Sequence, residues 1–539
     1  MDHLPPMLFS DGIQKHTDTV FYGYNHTESP RDGEIYDMKN LTADSYPLVS
    51  VREERRKRGD ALAVRGLCSF DGLFLVAKET AEDTWYSLFK ESSGAFVKVD
   101  GLNLDGREKK MAVLGAYLII FPDKKYYNRL TGEFGSLERT WSGNCAISDS
   151  TITDLSGSGF SNVFRPGDAV TISGCTAHSE NNKTVIVRSV NGAVLSFYDN
   201  TFAAAETDPA SEALTIARTV PDMDFIFENG NRLWGCKGDT IYASKLGDPF
   251  NFNVFDGLST DSYAADVGSA GDFTGAIAFL GYPMFFKENA IYKIYGTRPG
   301  NFQVTSSSQA GVKKDSSRSL CISSDVLFYV SKNGVMAYTG SVPQNISACF
   351  GQRRFDDGRA AASGEKYFLS LRDADTIAGY ELFVYDVGTR LWHREDDFKL
   401  EFAASDGAGD LCAVKTDINN TSFELWTLGR VGAGVPTEAN IESFCEFGDM
   451  TEGSPNRKGV SKIQLRLTIA SGAHVTVKIR YDSQSDWLTV KTLTGVGKDS
   501  YYLPVIPRRC DHLRLRIEGV GKWKLHSLVR ESYAGSEQK

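Results

Sequence analysis

The chain has 539 residues, of which 41% are apolar and 12% aromatic, so it can bury a large core. A net charge of −10 argues against a protein that binds nucleic acid or anionic membranes over a broad surface. Nine cysteines lie singly, which argues against a disulfide framework or a zinc ribbon. Neither a secretory signal nor an apolar run of membrane-spanning length is present, so we expect a soluble protein made in a reducing cytosol.

The N-terminal residues 1–60 carry little periodicity and are predicted to form an extended arm. The arm ends in a charge run, residues 52–58, with five basic and two acidic side chains. The simplest interpretation of this run is a solvated loop. The alternative is contact with DNA phosphates or with an acidic protein rim.

Turn-rich antiparallel meanders follow the arm, and the clearest occupies residues 225–252. It contains three short strands broken by Asn-Gly-Asn, Lys-Gly-Asp and Gly-Asp-Pro, all of which are turn formers. Similar patterns begin near Gly66, Ala112, Ala276, Leu320, Glu365 and Phe402. Most starts lie roughly 37 to 51 residues apart, which is typical of one four-stranded blade per repeat. We therefore predict an all-β protein containing a β-propeller of about seven blades.

One longer gap in this spacing contains an insertion at residues 141–219. Its segments FRPGDAVTISGC, KTVIVRSVNG and AVLSFYDNTF alternate and are separated by turn residues, so we predict an inserted small β-barrel. Residues 203–213 are expected to form a returning loop. The propeller is then divided into residues 61–140, the first blades, and residues 220–430, the remaining blades.

The C-terminal residues 441–533 follow a linker at 431–440 and contain six strands with clean alternation. This pattern predicts a β-sandwich, similar to a jelly roll, with one buried and one wet face per sheet. Three aromatic residues of this region are candidates to stack on sugar rings, although core packing is the alternative for each: Trp487, Tyr501 and Tyr502.

Candidate chemistry is sparse. The sequence has no GxSxG, HExxH or P-loop motif, and the nearest matches to a sialidase Asp box, residues 483–487 and 405–409, lack the spacing. Isolated pairs of carboxylates fall short of the six or more oxygen ligands of a Ca²⁺ site and are interpreted as turns: Asp406 with Asp410, Asp373 with Asp375, and Asp222 with Asp224. His393 is expected to pack or cap, and Cys510 with His512 to form an ordinary polar edge. We therefore predict no catalytic, cofactor or metal site and no enzymatic activity.

Residues 231–257 and 275–296 resemble the structural propellers of tailed phages. In that family one strand reads N-R-L, and the next is followed by S-x-x-G-D-P-x-x-F, as at residues 244–252 here. The group that it resembles is the tail accessory factors, or packaged-DNA stabilisation proteins, of short-tailed phages. Residues 32–54 resemble their opening arm. FRPGDAVTISGC resembles a module of phage tail and head–tail proteins, and the C-terminal region resembles an add-on domain of prophage virion proteins from Gram-positive hosts.

The resemblance implies a structural virion protein, a hub or collar component of the neck or tail that is made in the bacterial host cytoplasm. It implies a homo-oligomeric ring, with portal, adaptor, tail or fibre proteins as partners and possible contact of the arm with packaged DNA. No cofactor is implied. Two alternatives stay open: a receptor- or glycan-binding tail or baseplate component that uses the C-terminal sandwich, and a carbohydrate-active propeller enzyme.

Overall fold

The computed structural model describes residues 13–176, 178–203, 206–207, 214–375, 379–429, 437–453, 456–505 and 508–534. Within these ranges the regular structure is β-strand, apart from four short 3-10 helices: Ser179–Asn181, Pro299–Asn301, Lys314–Ser319 and Ala348–Phe350. The all-β prediction is therefore confirmed. Most of the predicted linker and of the predicted returning loop, at 431–436 and 208–213, lies outside the described residues. Among the described residues, no helix has the length and apolarity needed to cross a bilayer.

The chain divides into two compact units. Unit one comprises Met1–Ala61 and Asp315–Lys539, and unit two comprises Leu62–Lys314. The strand Arg56–Ser69 runs through the boundary: its first half pairs with Phe423–Leu428 in unit one and its second half with Leu73–Lys78 in unit two.

Unit two contains antiparallel four-stranded meanders. The first uses the end of Arg56–Ser69 together with Leu73–Lys78, Tyr86–Ser92 and Ala95–Leu104. The others are Lys110–Leu114, Tyr117–Phe121, Lys125–Asn128 and Phe134–Ser136; Phe225–Asn229, Arg232–Lys237, Thr240–Ala243 and Tyr263–Asp266; and Gly275–Phe279, Tyr282–Lys287, Ala290–Tyr295 and Gln303–Ser307. In the third meander Gly230 and Asn231 both have positive φ, at 62° and 59°. Two such residues make the tight turn that joins antiparallel strands, as the Asn-Gly-Asn pattern predicts.

The insertion forms two small sheets within unit two. One contains Arg139–Gly143, Leu214–Arg218, Ala169–Ser173 and Thr184–Ile186, and the other contains Ser189–Asn191, Val194–Ser196, Thr151–Asp154, Cys145–Ile147 and Glu206–Thr207. They share one apolar core, which includes Trp141, Phe160 and Leu195. The description of this module as a barrel stays a prediction.

Unit one contains further four-stranded meanders. Their strands are Cys321–Ser323, Val326–Ser331, Gly334–Tyr338 and Gln344–Asn345; Phe355–Ser363, Lys366–Asp373, Tyr380–Asp386 and Leu391–Arg394; and Leu400–Ser405, Leu411–Thr416 and Phe423–Leu428 with the start of Arg56–Ser69. The first strands of consecutive meanders contact one another within each unit, for example Phe355–Ser363 with Leu400–Ser405. This is the arrangement of neighbouring propeller blades, whose first strands lie innermost.

The C-terminal sandwich of unit one has two sheets that share one core. Sheet I contains Leu41–Thr42, Val49–Val51, Trp523–Ala534, Lys458–Ile469 and Gly497–Leu503, with Gln14–Asp18 and Arg509–Cys510 paired at its sides. Sheet II contains Ile35–Lys39, Glu442–Phe447, Leu513–Val520, His474–Tyr481 and Leu488–Leu493. Alternate residues of these strands, such as Val475, Val477 and Ile479, are buried, as the sequence pattern requires.

The arm was predicted to be an extended segment, and its described residues contribute strands to both sheets of the sandwich. Gln14–Asp18 and Val49–Val51 pair with Trp523–Ala534, while Ile35–Lys39 pairs with Glu442–Phe447. The physical reason is that edge strands leave backbone groups unpaired, and the arm satisfies them while burying its own apolar side chains. These buried side chains include Phe21, Ile35, Met38 and Leu41.

Two arginines of the charge run, Arg52 and Arg55, are buried, whereas Glu53 is exposed and the other residues of the run are half-buried. Arg52 and Arg55 are only 5% and 3% exposed. The Arg55 guanidinium lies 2.5 Å from Glu395 and 2.7 Å from Asp396, and Arg52 lies 2.6 Å from Glu438. Because buried arginines need carboxylate partners, these two side chains are neutralised within the fold and are not presented to DNA phosphates.

Candidate glycan-binding site

The predicted carboxylate pairs lie in turns or ion pairs. Asp406 accepts hydrogen bonds from the backbone N–H groups of Ala408 and Asp410, at 2.9 Å each, and pairs with Arg58. Asp373 pairs with Arg353 at 2.8 Å. The oxygens of these carboxylates are therefore engaged by donors of the fold.

Asp222 and Asp224 pair with Lys124 at 2.8 Å and with Lys237 at 3.1 Å. Side-chain contact with Lys124 is the main reason that the pKa of Asp222 lies below its usual range. Both carboxylates border a groove of about 420 Å³ in unit two, whose floor includes Met223.

His393 and Cys510 are both buried, at 4% and 1% exposed. Burial lowers the pKa of His393 to about 4 and raises that of Cys510 to about 11, so the imidazole and the thiol are both neutral near pH 7. His512 Nδ1 lies 2.5 Å from Asp511, and the Cys510 thiol donates to the Lys458 carbonyl at 3.8 Å. Cysteine and histidine thus have separate partners and do not form a nucleophile–base pair.

One group among the described residues has the spacing of a metal site: Asp482, Asp511 and His512 have ligand atoms within 4.8 Å of one another. Asp482 also accepts the backbone N–H of Asp511 at 2.9 Å, and His512 is bound to Asp511. These contacts satisfy the cluster internally, and three groups fall short of the oxygen set that Ca²⁺ requires.

The three aromatic candidates of the sandwich lie on different sheets. Tyr501 and Tyr502 belong to Gly497–Leu503 of sheet I, where Tyr501 packs against the core and Tyr502 is 58% exposed. Trp487 precedes the edge strand of sheet II, and the Arg480 guanidinium lies 4.8 Å from its ring centroid. The structure therefore separates Trp487 from the two tyrosines.

The outward-facing side chains of sheet II form a continuous polar surface, here called the sheet II face. It comprises Asp37, Lys39, Glu442, Phe444, Glu446, His474, Thr476, Lys478, Arg480, Arg514, Arg516 and Glu518. Cross-strand register places these residues in rows: Lys39 lies opposite Phe444, Phe444 opposite Glu518, and Glu518 opposite Thr476. Neighbours in such rows are close enough for their side chains to interact.

Glu446 organises the centre of the sheet II face. It is 8% exposed and accepts hydrogen bonds from Arg514 and Arg516 at 3.2 Å each, with Arg480 at 3.8 Å. Each of the three arginines also stacks on an aromatic ring: Arg514 on Tyr36 at 4.6 Å, Arg516 on Phe444 at 3.7 Å, and Arg480 on Trp487 at 4.8 Å. Planar guanidinium groups suit this double role of stacking and hydrogen bonding.

Glu518 is held beside this centre by Lys478 at 2.7 Å and by Arg516 at 2.8 Å. Burial alone would raise the pKa of Glu518, but these two cations hold it below its ordinary value. The carboxylate therefore stays an acceptor across the ordinary pH range.

A groove of about 410 Å³ lies over this surface and is lined by Lys39, Phe444, His474, Thr476, Arg516 and Glu518. Its donors and acceptors come from four strands that are far apart in sequence. Sequence reasoning singled out Trp487, which is not among the lining residues, and missed the lining itself, because polar residues at alternate positions look like an ordinary wet face.

Two carboxylates, Asp37 of the sheet II face and Glu381, share one arginine. Arg394 bridges Asp37, at 3.0 Å, and Glu381, at 2.9 Å. Glu381 is also bound by Arg353 at 2.8 Å. Burial is the main cause that raises the pKa of Asp37.

Comparison with known proteins gives no family model and no curated protein that matches the chain. Solved structures do match. The exo-β-1,3-galactanase of Phanerochaete chrysosporium with galactose is 8% identical, with 87% of this chain and 96% of that chain covered and a TM-score of 0.18. A variant of the same enzyme with β-1,3-galactotriose is 9% identical over 89% and 100%, with a TM-score of 0.20. An engineered GH43 glycoside hydrolase with endo-xylanase and exo-arabinofuranosidase activity is 7% identical over 57% and 96%, with a TM-score of 0.19.

These findings contradict two predictions from the sequence. The matching structures named here are glycoside hydrolases, whereas a structural virion protein without enzymatic activity was expected. Neither prediction is carried forward.

Proposed function

We propose that the chain is a glycan-binding protein and that the sheet II face of its C-terminal sandwich is the binding surface. The observation that carries this proposal is the groove of about 410 Å³ lined by Phe444 and Arg516, in which the Arg516 guanidinium is fixed by Glu446, by Glu518 and by the Phe444 ring. Side chains that are already held in place lose little conformational entropy when a ligand binds.

The balance of charge favours a neutral, hydroxyl-rich ligand. The lining of the groove carries equal numbers of Lys or Arg side chains and of carboxylates: Lys39 and Arg516 against Glu442 and Glu518. A polyanion would meet as many repulsive as attractive groups. Sugar hydroxyls both donate and accept, so they match alternating guanidinium and carboxylate groups, and the apolar face of a sugar ring matches a stacked planar surface.

Binding of the full-length chain to an array of neutral and charged glycans tests this proposal, followed by titration of a bound neutral oligosaccharide. We expect Phe444→Ala and Arg516→Met to weaken binding. Loss of a hydrogen bond to a charged group costs about 1.5–3 kcal/mol, or roughly ten- to hundredfold in affinity. Lys462→Met, on sheet I, is the matched control. A flat array, or equal weakening by the control, would reject the proposal.

A second function, glycoside hydrolysis, is favoured by the Asp37 and Glu381 pair. Glycosidases use a pair of carboxyl groups as acid and base, and one member of this pair, Asp37, has a pKa that burial raises. Release of reducing sugar from a bound oligosaccharide, and its loss in Asp37→Asn and Glu381→Gln, would support this function. Binding without any release of sugar would leave the glycan-binding proposal alone.

We also propose that the four-stranded meanders are propeller blades, supported by the contacts between their first strands within each unit. Five separate meanders, together with the two that share the strand Arg56–Ser69, correspond to the seven blades that the repeats predict. The blade number stays a prediction.

A further inference from the structure

A second concave site lies in unit two, far in sequence from the sandwich. It is a cavity of about 230 Å³ where residues 161–165 of the insertion face the hairpin that carries Tyr126 and Glu133. Phe250, in the Gly-Asp-Pro-Phe turn that the sequence marked only as a strand break, completes the wall. The cavity therefore exists because the inserted module lies against this turn.

Aromatic rings form the apolar part of the wall. Phe250 is 7% exposed and makes an edge contact with Tyr126 at 5.1 Å between centroids. Two guanidinium groups lie over the Phe250 ring, that of Arg218 at 5.2 Å and that of Arg165 at 5.6 Å. The ring thus holds two cations on the same wall.

The turn that carries Phe250 is anchored to the module. The Asn251 side-chain oxygen accepts the Ala169 backbone N–H at 2.8 Å, and its amide donates to Asp248 at 2.6 Å. Asn251 is 2% exposed, so these bonds are shielded from water. The wall is consequently set by the fold before any ligand arrives.

The three arginines of the lining differ in how far they are neutralised. The Arg218 side chain is 5% exposed and donates to both oxygens of Asp168, at 2.8 and 2.7 Å. Arg165 is exposed and has one ion pair, with Glu133 at 3.3 Å. Arg139 is half-buried, and its guanidinium has no hydrogen bond or ion pair with any residue that the structure describes.

Positive charge is therefore in excess in this cavity. Glu133 is the one carboxylate among the lining residues, and it already accepts from the Tyr126 hydroxyl at 2.9 Å and from Arg165. A guanidinium without a carboxylate partner is matched best by an oxyanion, which its fork of N–H groups can bind through two hydrogen bonds.

We propose that this cavity binds the carboxylate of a sugar acid, with Arg139 as the principal anion ligand and Arg165 as the second. The volume of the cavity suits one ring-sized unit, and Ser161 and Asn162 supply polar groups for its hydroxyls. The carboxylate belongs either to a free monosaccharide acid or to a unit within an acidic glycan. This site is separate from the sheet II face and does not depend on the function proposed for it.

Calorimetric titration of the full-length protein with glucuronate, and with glucose as the neutral counterpart, tests the proposal. We expect saturable binding of glucuronate that weakens as salt is added, and no measurable binding of glucose at this site. Arg139→Met should lower the affinity for glucuronate at least tenfold, and Arg165→Met should lower it less. A disaccharide that contains glucuronate distinguishes the two sources of the carboxylate. If the cavity accepts a unit of an acidic glycan, both the disaccharide and free glucuronate bind. If it accepts only the free monosaccharide acid, glucuronate binds and the disaccharide does not.

Arg188→Met is the matched control, because Arg188 is exposed on the same module and outside the cavity. It should leave glucuronate binding unchanged. Binding of glucose that Arg139→Met weakens as much as it weakens binding of glucuronate would overturn the proposal. The proposal would also be overturned if Arg139→Met and Arg165→Met had the same thermal midpoint as the parent and bound glucuronate with unchanged affinity.

Discussion

The guanidinium of Arg516 lies 3.7 Å from the ring centroid of Phe444, on the neighbouring strand of sheet II. The same guanidinium donates to Glu446 at 3.2 Å and to Glu518 at 2.8 Å. One side chain is thus fixed by a ring and two carboxylates before any ligand binds. A surface of this kind can order a polar ligand at a low entropic cost, which is why we place glycan binding here.

Trp487 and Tyr502 provide a direct comparison of the two sheets. Trp487 stacks with Arg480 beside the sheet II face, whereas Tyr502 is exposed on sheet I with Lys462 4.8 Å from its ring centroid. We expect Trp487→Ala to reduce the affinity for a neutral oligosaccharide several-fold and Tyr502→Ala to leave it unchanged. Titration calorimetry of both variants measures this difference. The reverse order would place the binding surface on sheet I.

Arg530 joins the arm to the sandwich from a fully buried position. Its side chain is 1% exposed and contacts Glu452 at 2.7 Å, Asp18 at 2.6 Å and Asp32 at 3.2 Å. Arg530→Met leaves the buried Glu452 without this cation and should cost about 3–5 kcal/mol in the free energy of unfolding. Urea denaturation followed by fluorescence measures the loss.

Asp32→Asn is the control for this network, because Asp32 is 60% exposed. Exposed ion pairs contribute about 0–1 kcal/mol, so this variant should stay close to the parent. If Arg530→Met is as stable as its control, the arm is not held through this side chain.

Local patterns in the sequence predict the strands and turns well, and distant pairings poorly. The alternation in residues 475–479 and 513–517 predicts which side chains are buried, since period-two burial is a local property of a strand. That Ile35–Lys39 pairs with Glu442–Phe447 depends on two edges that meet only in the folded chain. No local pattern carries that information.

The residues of the candidate sites also divide into those that a local pattern predicts and those that only distant strand pairing brings together. Trp487 was found because an aromatic residue in a polar segment is conspicuous. Lys39, Phe444 and Arg516 come together only through the register of three strands, so no motif joins them. The outward positions of these strands carry charged and aromatic side chains, although small polar residues would be enough for a solvent-exposed face. This composition is the signal in the sequence that could have indicated a binding surface.

Asn251 should control how firmly the inserted module is held. Its side chain bonds Ala169 and Asp248, and it is 2% exposed, so Asn251→Ala leaves a buried backbone N–H without a partner at a cost of about 1–3 kcal/mol. We expect faster hydrogen exchange in residues 141–218 and little change in the sandwich. Asn253→Ala removes only longer contacts to Thr219, at 3.3 and 3.4 Å, and should exchange like the parent. Uniformly faster exchange in both variants would contradict this role.

His393 should make the stability of unit one depend on pH. Burial is the main cause that lowers its pKa to about 4, with Lys366 as the next contribution, whereas an unfolded histidine titrates near about 6.5. The unfolded chain therefore binds the proton more tightly. The contribution of His393 to the free energy of unfolding is fully present above pH about 6.5 and is lost as the pH falls toward about 4, by roughly 3 kcal/mol.

Urea midpoints measured from pH 7 to pH 4.5 test this expectation. His393→Asn should be less stable than the parent at pH 7, because it disturbs a packed site, but it should lack most of the decline on acidification. His474→Asn, at an exposed position of sheet II, should decline as the parent does. Parallel declines in the parent and in His393→Asn would show that other groups cause the acid sensitivity in this range. Burial alone would raise the pKa of Asp396, but Arg55 and Arg52 outweigh burial and lower it. Asp396 therefore takes up its proton below the pH range of this experiment and does not contribute to the measured decline in stability.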